Sequence, residues 1–309
     1  MTKDFASAKR ENRRSVTIWL YVFAVLIAFV GFVVWYAYVF SSPERTFWST
    51  VDANLNVSSY SKVVVQEQPG SKGTNVTTFE DGVTPIARDV GILTTGEGES
   101  TINQETESIG VEGQNYFTYK RVDGKILNSA GEPVDTSSVV GVAGVMDLNS
   151  PLSQGFPQTL RDARVGPQLT LPFANLGSEQ RSDLISFMQD SGVFKVDFNN
   201  VSKSEVNGKT AYKYDVEINI EKYIELLQKL DELNGTEFFA GIDPAQANGQ
   251  TANVIMSIDI NARQLLELEY SGTGAKETIS GYNGHYNIKK PTEFVEFNEL
   301  NNRIRELLQ

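Results

Sequence analysis

The chain has no cysteine and a single histidine, His285. Without cysteine there is no disulfide, no thiolate nucleophile, no iron–sulfur cluster and no cysteine-ligated zinc. One histidine is too few for a multi-histidine metal centre, and no serine or cysteine motif accompanies it to make a triad. Gly91, Gly96 and Gly98 do not fall at the spacing of a nucleotide-binding loop. Basic residues are scarce too: 27 Lys+Arg stand against 39 Asp+Glu in 309 residues, a net charge of −12. Five of those basic residues and only two of the acidic ones lie within residues 1–15, so the remainder is more acidic still. A body of that sign lacks the basic face that displaces counterions from a nucleic acid. The reading is therefore non-enzymatic, with no cofactor, no metal and no nucleic-acid partner.

What is present is a long apolar run. Val16–Phe40 holds 25 residues without a charge. A helix of that length, at ~1.5 Å per residue, crosses a ~30 Å hydrocarbon core with some tilt. Trp19 and Tyr21 mark one end, and Trp35, Tyr36 and Tyr38 the other, as interfacial aromatics do. Lys3, Lys9, Arg10, Arg13 and Arg14 precede the run, whereas only Arg45 closely follows it. The positive-inside rule then predicts a cytoplasmic N-terminus and an extracytoplasmic C-terminal domain. A cleaved signal peptide has a shorter apolar core, and Ala37-Tyr38-Val39 sets bulk where a cleavage site carries small residues. The expected layout is a basic cytoplasmic tail over 1–15, a transmembrane signal anchor over 16–42 and one extracytoplasmic domain over 43–309. The chain is thus expected in the cell membrane as a single-pass protein, with the lipid bilayer as its partner through Val16–Phe40.

Beyond the anchor the pattern is α+β. Ser42-Pro43-Glu44 opens a short helix whose Phe47, Trp48, Val51 and Leu55 repeat at helical spacing. Tyr60–Gln68 and Thr74–Phe79 read as strands around a Pro69-Gly70 turn, with Val63 and Val65 two apart in the first. Glu99–Val111 and Gln114–Val122 read as a second pair, one polar and one aromatic. Phe194, Val196 and Phe198 alternate with polar residues. So do Tyr212, Tyr214, Val216 and Ile218, after an Asn207-Gly208 hairpin signal. Val254, Met256, Ile258 and Ile260, then Leu266, Leu268 and Tyr270, continue the meander, and Thr278–Ile288 closes it with Tyr282 and Tyr286 on one face. Ser178 caps a helix ended by Gly192, and Asn219 caps Ile220–Leu233, whose apolar stripe is Ile220, Tyr223, Ile224, Leu227 and Leu230. Thr292–Gln309 reads as a last helix. Residues 124–176 form a Gly/Pro-rich irregular insert holding one apolar run, Val139–Met146. Glu97/Glu99 and Glu105/Glu107 suit a solvated acidic face, and His285 a surface or rim position.

This order of elements resembles the half-barrel proteins of the LolA and LppX type. The residues that carry the resemblance are Leu55–Val65, Gly208–Val216, the helix Glu221–Leu233, Ile258–Ile260 with Leu265–Leu268, and Tyr282–Pro291. The resemblance implies a curved antiparallel half-barrel sheet covered by helices, with acyl chains or lipids held between them. The expected apolar ligand pocket is then Phe194, Val196, Tyr212, Tyr214, Met256, Ile258, Leu266, Leu268, Tyr282 and Tyr286 on the sheet, faced by Tyr223 and Leu227 on the covering helix. Two functions follow as expectations. One is a membrane-anchored extracytoplasmic binding protein for a lipid or other apolar ligand. The other is a non-enzymatic structural or regulatory ectodomain with a protein partner in an envelope complex.

Overall fold

The structure is a computed structural model that describes residues 23–33, 35–36, 42–96, 98–147, 158–165, 170–271 and 275–309. The basic tail, much of the expected span Val16–Phe40, Glu97 and parts of the 124–176 insert lie outside the described residues. Residues 23–33 are helical, with Phe23, Leu26 and Phe29 exposed. Among the described residues no helix is long and apolar enough to cross a membrane.

From Ser42 onward the chain builds an α+β fold around one large, open, curved sheet, consistent with a half-barrel. Its strands are β1 (Ser59–Gln68), β2 (Ser71–Glu80), β3 (Ile86–Thr95), β4 (Ile102–Val111), β5 (Gln114–Asp123), β6 (Ala143–Asp147), β7 (Phe194–Val196), β8 (Ser202–Val206), β9 (Lys209–Asn219), β10 (Thr251–Asp259), β11 (Leu265–Tyr270), β12 (Lys276–Ser280) and β13 (Val295–Glu296). They run in the order β13-β6-β5-β4-β3-β2-β1-β12-β11-β10-β9-β7, with β8 paired to β9. Every pairing is antiparallel except that of β13 with β6. The hairpin between β8 and β9 turns at Asn207-Gly208, both at positive φ, as that dipeptide favours.

Several expectations differ from what is observed. The expected helix Thr292–Gln309 starts only at Phe297, after β13. β3 was not predicted, because Arg88, Asp89 and Gly91 break the apolar alternation in its middle. Phe198 starts a short 3₁₀ turn and not a continuation of β7. The expected strand Thr278–Ile288 ends at Ser280, because Gly281 adopts φ 63° and turns the chain away; the Tyr286 hydroxyl donates back to the Gly281 carbonyl at 2.6 Å.

The helices lie mainly on one face of this sheet, called inner here. In α1 (Pro43–Asn54), Ser42 Oγ accepts from the Arg45 N–H, and Phe47 and Val51 are fully buried. α3 (Ser178–Ser191) begins at Ser178, but its cap is Gly177, whose N–H donates to the Gln180 side chain. α4 (Ile220–Asn234) is capped by the Asn219 side chain, as expected. Its buried stripe is Tyr223, Leu226, Leu227 and Leu230. Relative to the predicted stripe it is rotated towards Leu226, which leaves Ile220 and Ile224 half-buried. These three helices form the main core with strands β7 and β9–β12, joined at its margin by Tyr60 of β1, Phe79 of β2 and Ala87 of β3.

The 124–176 insert is less irregular than its composition suggests. It supplies β6 and the short helix α2 (Thr159–Val165), and its run Val139–Met146 is largely buried. After β12 the chain crosses the outer face, where Ile288 packs on a second, smaller core of Ile109, Val111, Tyr116 and Val145. It then adds β13 beside β6 and turns back as α5 (Phe297–Leu308). There Leu300 packs directly on Gly144.

Candidate functional site

Alternation along β9, β10 and β11 brings most of the expected pocket residues together. Tyr214 lies opposite Met256, Met256 opposite Leu268, and Tyr212 opposite Ile258. Phe194, Tyr223 and Leu227 join the same buried cluster, with Val196 and Tyr282 packed half-buried against it. The space they surround is occupied by α1. The Phe47 ring lies 5.5 Å from that of Tyr214 and 6.1 Å from that of Phe194, and Met256 is fully buried. Two residues depart from the expected face. A β-bulge between Ser257 and Ile258 sets Leu265 opposite Ile258, so Leu265 joins the core cluster and Leu266 does not. Tyr286 stands beyond the Gly281 turn, over the outer face.

The inner face continues past this core onto β1–β4 and changes character. There a cleft of about 470 Å³ lies between the sheet and α2. Register builds its floor in rows. Tyr60, Phe79 and Ala87 belong to the core; two residues further along each strand stand Lys62, Thr77 and Asp89, then Val64, Asn75 and Gly91. Ile92, Leu93 and Ala163 add apolar surface. α2 is held down at one end of the cleft. The Tyr60 hydroxyl donates to the Ala163 carbonyl, and Ser108 Oγ and Thr159 Oγ1 share a hydrogen bond of 2.7 Å. Asn115 Nδ2 donates to Ser108 Oγ at 2.9 Å. Gly110 lets the helix come this close, since a Cβ there would stand 2.5 Å from the Leu160 nitrogen.

The cleft carries buried charge. Asp89 accepts from Thr77 Oγ1 at 2.7 Å and from Asn75 Nδ2 at 3.2 Å. Burial pushes its carboxyl above the ordinary range, with the Thr77 hydrogen bond and the Lys62 charge pulling against that rise. Lys62 Nζ lies 3.8 Å from Glu277 Oε2, and Glu277 stands on β12 beside Val64. Glu277 is likewise raised by burial, opposed by Lys62 and by a hydrogen bond with Tyr270. Asp162, on α2, is paired with Arg161 at 2.9 Å.

The outer face of the same strands is arranged oppositely. A groove of about 590 Å³ runs beneath residues 286–293. In it Glu107 is gripped by Arg88 Nε at 2.6 Å and Lys120 Nζ at 3.1 Å. Burial alone would raise the Glu107 carboxyl, but those two hydrogen bonds outweigh it and hold it below the usual carboxylate range. Glu107 is therefore part of a charge network and not a freely solvated acid. His285, at the surface, pairs with Glu80 at 2.6 Å.

Lys62, Asp89, Asp162 and Glu277 were not singled out from sequence. The signal that existed was parity: Lys62 sits two residues from Tyr60, a charge placed on a core-facing register.

No family model matches the chain, and no curated protein matches it. Among solved structures, the chain is similar to the crystal structure of LprF from Mycobacterium bovis. The two are 10% identical, with 81% of this chain and 96% of that one covered and a TM-score of 0.37. A likeness of that size does not decide function; the geometry of the cleft bears on it directly.

Proposed function

We propose that the chain is a membrane-anchored extracytoplasmic binding protein that holds a lipid or other ligand with an apolar tail in its half-barrel. The observation that carries this reading is the cleft between β1–β4 and α2. Its volume, about 470 Å³, falls within the ~300–1,000 Å³ of small-molecule sites. Its lining combines apolar surface with a few converging polar groups, and Ile92 and Leu93 are each 41% exposed. The anchor is supported by the uncharged run Val16–Phe40 and by the basic residues on its N-terminal side.

Native mass spectrometry of the full chain extracted in detergent should find a co-purifying lipid. Val64→Trp, which fills the cleft, should remove it and leave the domain folded. A wild-type chain that carries no lipid and takes up no fluorescent fatty-acid probe would overturn the binding reading. It would favour the second one, a structural or regulatory ectodomain of an envelope complex, which the filling of the β9–β11 interior by Phe47 and Val51 supports. Topology is tested separately. Protease added to intact cells should digest the 43–309 domain and spare residues 1–15; full protection of the domain would refute the anchor orientation.

A further inference from the structure

Resting on the anchor reading, we infer that the domain stands on the bilayer that holds its anchor. It does so on the end of the sheet that carries the β10–β11 turn and the β2–β3 loop, and the cleft opens away from that membrane. Two contacts tie the anchor to this end. The Tyr36 hydroxyl lies 3.5 Å from Asn261 Oδ1, and Asn261 stands in the β10–β11 turn. Arg263, in the same turn, interacts electrostatically with Tyr36 and with Arg45, and its guanidinium donates to Thr46 Oγ1 near the start of α1. The turn itself is held by Asp259, whose Oδ1 accepts from the N–H groups of Asn261 and Ala262 at 2.8 and 2.9 Å. Tyr36 belongs to the aromatic group at the outer end of Val16–Phe40, which sets it at headgroup level. The β10–β11 turn therefore sits at that level too. It brings Arg45 and Arg263 together there, two guanidiniums of the kind that bind lipid phosphates.

Register carries the same end across the sheet. Glu267 lies opposite Thr278, so β12 ends where β11 begins. Ser61 lies opposite Ser280, so β1 begins there as well. Ser59 lies opposite Glu80, so β2 ends beside the start of β1. The 81–85 loop that follows β2 is thus at this end, and its Val83 is fully exposed. α1 joins the two regions: the Tyr214 hydroxyl donates to the Pro43 carbonyl at 2.8 Å at its start, and β1 opens soon after its last residue, Asn54. The rows of the cleft run the other way. Tyr60, Phe79 and Ala87 close it towards this end, Lys62, Thr77 and Asp89 come next, and Gln66, Gly73 and the exposed Leu93 lie furthest from it. The mouth of the cleft therefore faces away from the anchoring bilayer, and its ligand is delivered or collected on that far side.

The absence of cysteine allows labelling at single introduced cysteines. The test uses the full chain in phosphatidylcholine nanodiscs that contain a spin-labelled phosphatidylcholine as quencher. The fluorophore NBD is attached at Phe29→Cys in the anchor, Ala262→Cys in the β10–β11 turn, Val83→Cys in the β2–β3 loop, or Gln68→Cys at the far end of β1, outside the cleft. The quencher should take at least about half of the emission from Phe29→Cys, Ala262→Cys and Val83→Cys and leave that of Gln68→Cys unchanged. With Phe29→Cys quenched, an Ala262→Cys or Val83→Cys label as bright as that at Gln68→Cys would overturn the inference and leave the anchor reading standing. Quenching of Gln68→Cys to the same degree as the other two would do the same. A label at Phe29→Cys that also stays bright would overturn both.

Discussion

The inner face of the sheet has two halves built from the same alternation and put to different use. Over β9–β11 the inward set is Tyr212, Tyr214, Met256, Ile258 and Leu268, and α1 sinks Phe47 and Val51 among them. Over β1–β3 the same parity carries Lys62, Thr77, Asn75 and Asp89, and the seven-residue α2 covers the face without filling it. Strand parity chooses which face turns inward. The helix laid on that face decides whether it becomes core or site.

A pair of matched substitutions is the sharpest way to break this comparison. Met256 is fully buried, so Met256→Asp should lose on the order of 3 kcal/mol or more, the cost of an unpaired buried charge. Val64 faces the cleft, and Val64→Asp, although it adds a carboxylate beside Glu277, should lose clearly less than Met256→Asp while altering ligand uptake. Urea melts read both. Equal losses would erase the distinction between the halves, and a Met256→Asp chain as stable as the wild type would show that this face is not core.

A smaller effect sharpens the contrast between the two faces of β3 and β4. In carboxyl-detected NMR titrations Asp89 and Glu277 should titrate above the ordinary carboxylate range, and Glu107 below it. The linkage signs are opposite. The lowered Glu107 contributes stability above the unfolded carboxylate pKa, and that contribution is lost as pH falls through its folded value. The raised Asp89 and Glu277 weaken the fold when charged, and that loss is relieved as pH falls from neutral through their raised values. Arg88 and Lys120 are each nearly half exposed, so solvent screens these pairs and the Glu107 contribution is small. Inner carboxylates titrating in the ordinary range would mean that water reaches the cleft floor freely.

Much of the packed half was legible in the sequence, and little of the cleft. Tyr212/Tyr214 and Met256/Ile258 announce their face by strict alternation, and Asn219 announces α4 by its cap. Leu266 could not be told from Leu265, because a bulge shifts register without a marker in composition. On β1 the alternation of Val63 and Val65 is real but belongs to the outer face; the inward residues are Tyr60, Lys62 and Val64. A polar set on a strand reads as its wet side, and that is why Asp89, Thr77 and Lys62 escaped notice. Residue spacing in α1 showed which of its sides is apolar. It carried no information on whether that side would lie against the domain or enter its interior.

The position of β1 has a consequence for how the chain is made. β2, its neighbour on one side, follows within a few residues, but β12, its neighbour on the other, comes some 200 residues later in the chain. During synthesis the β1–β6 meander can form early, yet it must wait with one flank of β1 open until Lys276–Ser280 has emerged. Such late, long-range pairing slows folding and leaves strand edges available to the wrong neighbour. Val63 and Val65 lie on that waiting strand. The finished sheet and the hazards of its folding therefore meet at the same seam, where the earliest strand pairs with one of the last.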